Sequence, residues 1–174
     1  SPPQPPAGPP ATSPPTARPP APLLLYGLAA AWLGIDQATK AAVVATLRPR
    51  EPVTVIPHLL DLTYLTNTGG AFGVLPWATP VLVAVACLVI ALLVLYGRRL
   101  VQAGPLVEVA AALILGGALG NLIDRVRLGY VVDFLDLHFW PVFNIADIGI
   151  TVGALLMMLA MMRRSCPCAG CAEE

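Results

Sequence analysis

106-LVEVAAALILGGALGNLIDR-125 is an apolar run that ends in a polar cluster, and its reading decides the fold. A helix needs about 20 residues at 1.5 Å rise to cross about 30 Å of hydrocarbon, and this run is of that length. Asn121, Asp124 and Arg125 stand at i, i+3 and i+4, so they share one face at the end of the helix. Gly116 and Gly120 have the G-x-x-x-G spacing, with Gly117 beside them, which lets a neighbouring backbone approach closely. Stacked on such a stripe, the polar cluster comes within hydrogen-bonding range of another helix at the membrane edge.

Three more apolar stretches surround this one. Leu23 to about Leu47 carries Asp36 and Lys40 in its second half, Trp77 to Gly97 carries no charge, and Phe143 to Met162 closes the set. The composition agrees: 57% of the 174 residues are hydrophobic and 11% charged, with mean hydropathy +0.76, against roughly 25% charged for a soluble domain. The expected fold is an all-α polytopic membrane protein with four transmembrane helices. Ten Lys and Arg against ten Asp and Glu leave no basic surplus to hold a polyanion, so nucleic-acid binding is excluded as a main function.

Residues 1–22 hold eleven of the nineteen prolines and no apolar leader segment, and read as a disordered tail. Residues 23–164 form the membrane domain and 165–174 a short cysteine-containing tail. Residues 48–76 and 126–141 are rich in β-branched and aromatic side chains, with prolines in the first and Gly129 marking a bend in the second. They read as short strands, with a surface helix near Phe72 and Trp77, on one side of the bundle. Arg18, Arg98, Arg99, Arg163 and Arg164 mark the other side, and Lys40, Arg48, Arg50, Arg125 and Arg127 this one. Five against five is no vote, but the arginine pairs beside helix ends favour tails inside.

Ionisable groups at membrane depth are costly and point to function. Asp36 and Lys40, four apart on one helical face, read as a buried ion pair. Glu108 reads as an interfacial charge and Asp136 as a solvated loop charge. Asn144 and Asp147 lie three apart at the start of the last helix; Asp147 has no cation in its own neighbourhood, so Arg125, Asn121 or the loop carboxylate Asp133 must compensate it across the bundle. Two carboxylates sharing a site split their proton affinities, which supplies a general base and a general acid around one water. His58 and His138 stand alone, so no metal constellation is read, and no Ser-His or Cys-His pair is evident. Asn67 lies in a glycine-rich turn that could position a peptide through open backbone groups.

Five motifs, 36-DQATK-40, 67-NTGGAF-72, 116-GGALGNLIDR-125, 129-GYVVDF-134 and 143-FNIAD-147, together resemble the lipoprotein signal peptidases, signal peptidase II, over about residues 23–164. The resemblance implies a four-helix aspartyl endopeptidase of the bacterial inner membrane. It would cut prolipoproteins just before the diacylglyceryl-modified cysteine, and globomycin would inhibit it. It further implies Asp133 and Asp147 as the catalytic pair and Asn121, Arg125 and Asn144 as supporting residues. Asp124 is implied as a structural carboxylate, and Asp36, Lys40, Asn67 and Gly69 match the remaining motif positions. An extracytoplasmic β-cradle and surface helix, with both termini cytoplasmic, belong to the same picture. No cofactor is implied; the partners are the lipidated precursor and membrane lipid, and the chain is expected to act as a monomer. Gly70 stands where the family more often has alanine, and the Asp133 to Asp147 spacing is compact.

Buried Asp and Lys groups also mark ion pathways, so a proton- or ion-coupled carrier is the alternative; the chain shows no internal repeat to support it. The terminal CPCAGC reads as reduced cysteines, and 84-AVAC-87, although it looks like a lipidation motif, as helix packing.

Overall fold

The computed structural model describes residues 22–48, 50–69 and 78–165. The proline-rich tail, Gly70, the surface helix expected near Phe72 and Trp77, and the terminal cysteines lie outside the described residues. Among the described residues eight elements occur in order: α1 Leu23–Leu47, β1 Val53–Ile56, β2 Leu60–Asn67, α2 Ala78–Leu95, α3 Gly97–Gln102, α4 Pro105–Leu128, β3 Val131–Asp136 and α5 Ile145–Ser165. The four long helices fall where the apolar stretches place them. Two, α4 and α5, are long and apolar enough to cross a membrane by length and composition, while the apolar part of α2 is shorter.

Two boundaries differ from the apolar stretches, and a short helix is added. The third long helix runs past the polar cluster to Leu128, where Gly129 at φ 81 takes the left-handed cap position and its N–H donates to the Arg125 carbonyl. The last helix begins at Ile145, because Phe143 is paired with Leu135 of β3 and Asn144 is left as the cap. The link between the second and third long helices contains the one-and-a-half-turn helix α3.

α4 is the central element and packs against α1, α2 and α5. Its glycines divide between two neighbours. A side chain on Gly116 would meet the Ala29 carbonyl and Trp32 of α1, one on Gly120 the Asp36 carboxylate, and one on Gly117 the Ala146 carbonyl and Ile150 of α5. The close approach read from the G-x-x-x-G spacing is therefore made toward α1, and the neighbouring glycine serves α5. Leu25, Ala29, Ala111, Ala112 and Leu115 form an apolar cluster between α1 and α4. Val43 and Leu47 at the end of α1 pack against Val132 and Phe134 of β3, which seats the sheet on the helices.

The sheet has antiparallel order β1-β2-β3. Opposite β2, β3 pairs Asn67 with Val131, Leu65 with Asp133 and Asp61 with Asp136. Val131 to Phe134 are buried on both sides, so Asp133 is delivered into the interior by a strand instead of a mobile loop.

Candidate active site

The polar core is built around one cation. Lys40 Nζ lies 3.0 Å from Asp36 Oδ2 and 3.0 Å from Asp124 Oδ2, and donates to Asn121 Oδ1 at 3.0 Å. An ammonium has three donors, and all three are used. One cation between two buried carboxylates leaves negative charge uncompensated, and neutral donors make up the difference. Asp36 accepts from Ala146 N–H at 2.8 Å, Asp124 from Val132 N–H at 3.2 Å, and the Gln37 amide donates to both carboxylates. This hub ties α1 to α4, to the first turn of α5 and to β3. The ion pair read from the i, i+4 spacing is present, with Asp124 as a second partner that the spacing could not reveal.

Asn121 carries the hub's influence outward. Its Oδ1 accepts from Lys40 and from the Asn144 amide, which fixes its Nδ2 as the donor to Asp147 Oδ1 at 2.8 Å. Asn144 and Asp147 form a reciprocal N-terminal cap: the Asp147 N–H donates to Asn144 Oδ1 at 3.0 Å, and the Asn144 N–H donates to Asp147 Oδ2 at 3.2 Å. The spacing N-x-x-D is thus a structural device as well as a polar face. It holds the Asp147 carboxylate at the helix N-terminus, where the backbone dipole favours negative charge.

Asp133 is gripped from two other directions. Asn144 Nδ2 donates to its Oδ1 at 2.6 Å and Asn67 Nδ2 to its Oδ2 at 2.9 Å. Asn67 is itself oriented, because its Oδ1 accepts from the Gly69 N–H at 2.8 Å in a turn that Gly69 completes at φ 94. Asn144 therefore touches both carboxylates, Asp133 with its side chain and Asp147 with its backbone, and is itself fully buried. Burial, the largest effect, raises the Asp133 carboxyl from 3.8 to about 6, with the Asp147 charge adding to it; the Asn67 and Asn144 hydrogen bonds and the Lys40 charge work in the opposite direction.

Among the described residues, the polar side chains singled out from the motifs all lie in this network, but not always in the expected position. Of the three candidates to compensate Asp147, Asn121 is the one that bonds it, and among the described residues no ion pair with Arg125 forms. The Arg125 guanidinium bonds the Asn121 carbonyl at 3.4 Å, its Nε is buried without a hydrogen-bond partner among the described residues, and its field reaches Asp147, Asp133 and Asp124. Glu108 lies in the first turn of α4, beside the short link, and is buried. Asp136 is not a loop charge: it ends β3 and caps the His138 N–H at 2.8 Å. Cys87 of the AVAC stretch is exposed on α2 and not packed.

Two features were not read from the sequence. Gln37 bridges Asp36 and Asp124, although it sits inside the DQATK motif. A groove of about 310 Å³ opens beside Asp147 between Leu137, Phe139, Trp140 and Phe143 on one side and Ile148, Thr151 and Val152 of α5 on the other. The signal for it was the aromatic run 138-HFWPVF-143. Two carboxylates held by one asparagine, one of them raised to about 6 by burial, next to an apolar groove at a sheet edge, can hydrolyse a peptide bond in a substrate with an apolar segment.

The geometry has counterparts. A family model described as signal peptidase (SPase) II matches residues 28–163. The lipoprotein signal peptidase of Moorella thermoacetica is 48% identical over 136 residues, covering 78% of this chain and 89% of that protein. That of Pseudomonas paraeruginosa is 44% identical over 138 residues, covering 74% and 82%. A bacterial membrane enzyme solved by the in meso method at 2.3 Å superposes with a TM-score of 0.74 at 32% identity, covering 87% of this chain and 94% of that one.

Proposed function

Because this chain belongs to the signal peptidase II family, we propose that it removes the signal peptide from prolipoproteins as an aspartic endopeptidase, with Asp133 and Asp147 as the reacting pair and the cut placed before the diacylglyceryl-modified cysteine. The single observation that carries the residue assignment is Asn144, whose amide holds Asp133 while its backbone N–H holds Asp147. In the proposed reaction an ionised carboxylate takes a proton from water as the water oxygen bonds to the scissile carbonyl carbon. The protonated partner then gives its proton to the leaving nitrogen as the C–N bond breaks. Asn67 and Asn121 keep the two carboxylates apart in orientation, and Lys40 with Asp36 and Asp124 fixes the ground on which Asn121 stands.

The same proposal covers the placement of the chain. It is a bacterial membrane protein, and in our reading all four long helices span the inner membrane, the sheet lies outside and both termini lie in the cytoplasm. Residues 1–22 and 165–174 are tails on a peptidase domain of 23–164. The partners are the lipidated precursor and membrane lipid, globomycin is an inhibitor, and the acting unit is a monomer. A proton- or ion-coupled carrier finds no support, since the relatives are peptidases. The test is incubation of the detergent-solubilised full chain with a diacylglyceryl-modified precursor peptide. Two fragments, with the lipid on the new N-terminal cysteine, and their loss on adding globomycin are expected; an intact precursor would overturn the proposal.

A further inference from the structure

The end of the sheet away from Asn67 carries a charge arrangement that the reaction does not use. Asp61 of β2 and Asp136 of β3 are register partners, which puts two carboxylates opposite one another on adjacent strands. Like charges in that position weaken a strand pair. His138 stands against both: its Nε2 is 3.4 Å from Asp61 Oδ2 and its Nδ1 is 4.0 Å from Asp136 Oδ1. The backbone is held at the same point, because the His138 N–H donates to Asp136 Oδ1. The chain turns at this residue, with Phe139 N–H donating to the Leu137 carbonyl at 2.8 Å and His138 at φ 63. A non-glycine residue enters that region seldom, and it persists there where its surroundings hold it.

The turn leads directly into the aromatic wall of the groove. Phe139 and Trp140 are 74% and 62% exposed and face Asp147 across the groove. At its far end the segment is pinned by the pairing of Phe143 with Leu135 and by the Asn144 contacts. At its near end the turn is pinned by the contacts of His138. The imidazole is 45% exposed, so this contact adds little to the stability of the whole fold; its effect is local, on where the wall stands.

We propose that His138 is a positioning residue for substrate binding: by bridging Asp61 and Asp136 it holds the turn at 137–139, and with it the Phe139 and Trp140 wall, beside Asp147. The wall receives an apolar substrate segment next to the scissile bond, so His138 acts on substrate affinity and not on the chemical step. This rests on the reading of the chain as a prolipoprotein peptidase. Asp61 and Asp136 are the charged groups that face the imidazole, from β2 and β3.

The test compares the full chain with His138→Gly, which keeps access to positive φ while removing the imidazole, and with the double variant His138→Gly/Asp61→Asn, which also removes the opposed charge. Kinetics on a lipidated precursor peptide in detergent should give His138→Gly a KM raised at least threefold with kcat within twofold. The double variant should return KM to within twofold of the parent. An unchanged KM, a fall in kcat alone, or a double variant as impaired as the single one would overturn the proposal. Limited chymotrypsin digestion, with fragment masses locating the cut after Phe139, reads the turn without using the peptidase activity. Cutting there should be at least fivefold faster in His138→Gly, and equal rates would contradict the positioning role. If the parent chain cleaves no precursor, the peptidase reading fails, while the digestion still decides whether His138 holds the wall.

Discussion

At the scale of single residues, Asp133 links the electrostatics to a measurable property. Its folded carboxyl is raised from 3.8 to about 6, so the folded chain binds this proton more tightly than the unfolded chain does. The resulting stability is fully present below the unfolded value and is lost as pH rises through about 6; the difference corresponds to about 3 kcal/mol at most. Asp133→Asn has no such proton. The melting temperature of the parent minus that of Asp133→Asn should therefore fall between about pH 4 and pH 7.5, as followed by thermal unfolding in micelles, and a difference independent of pH would contradict burial of this carboxyl as the cause. The residues of the site were legible because their motifs carry polar groups where an apolar helix has no use for them. Asp36, Lys40, Asn121, Asp124, Asn144 and Asp147 all announce themselves in this way. Which of them touch was legible only in part: Asn121 was one of three candidates for Asp147, but choosing it, and seeing Asp124 reach Lys40, depends on distances between helices that no spacing within one helix contains.

At the scale of elements, position is set by small residues at helix crossings. Gly117 has the Ala146 carbonyl of α5 where a side chain would stand, and Ala146 immediately precedes Asp147. A methyl group there must push the start of α5 away from α4, a form of overpacking that costs about 1–3 kcal/mol. Gly34 of α1 has open space around it, and alanine is the better helix former by about 1 kcal/mol. Gly117→Ala should lower the melting temperature and slow precursor cleavage at least tenfold, whereas Gly34→Ala should leave both unchanged or raise the melting temperature. Equal effects at the two positions would show that the crossing does not set the site. Helix existence was legible from the four apolar runs, and the strands from β-branched and aromatic content. Their ends were not: Val126 to Leu128 look like strand residues, but the left-handed position that ends a helix comes only at Gly129. α3 is too short, at six residues, to give a periodic signal.

At the scale of the whole molecule, the proposed orientation places the sheet and the carboxylate pair outside the cytoplasm. In a chain whose own four cysteines are replaced by serine, Leu59→Cys lies in the exposed turn between β1 and β2. A membrane-impermeant thiol reagent should label it in intact cells whose outer envelope has been made permeable, and labelling only after lysis would invert the topology. Orientation was the least legible property, because five cations fall on either side and charge alone does not choose. The central claim is that Asp133 and Asp147 together hydrolyse the precursor, and the most direct measurement is the cleavage rate of a lipidated precursor by Asp133→Asn, Asp147→Asn and Asp136→Asn, each purified as a folded chain. Removing either member of an acid and base pair costs at least about a hundredfold, so the first two should fall by that factor or more. Asp136→Asn should keep its kcat near the parent's, since the asparagine oxygen still accepts from the His138 N–H. Loss of cleavage in Asp136→Asn with cleavage retained in Asp133→Asn would contradict the account and require the pair to be redrawn.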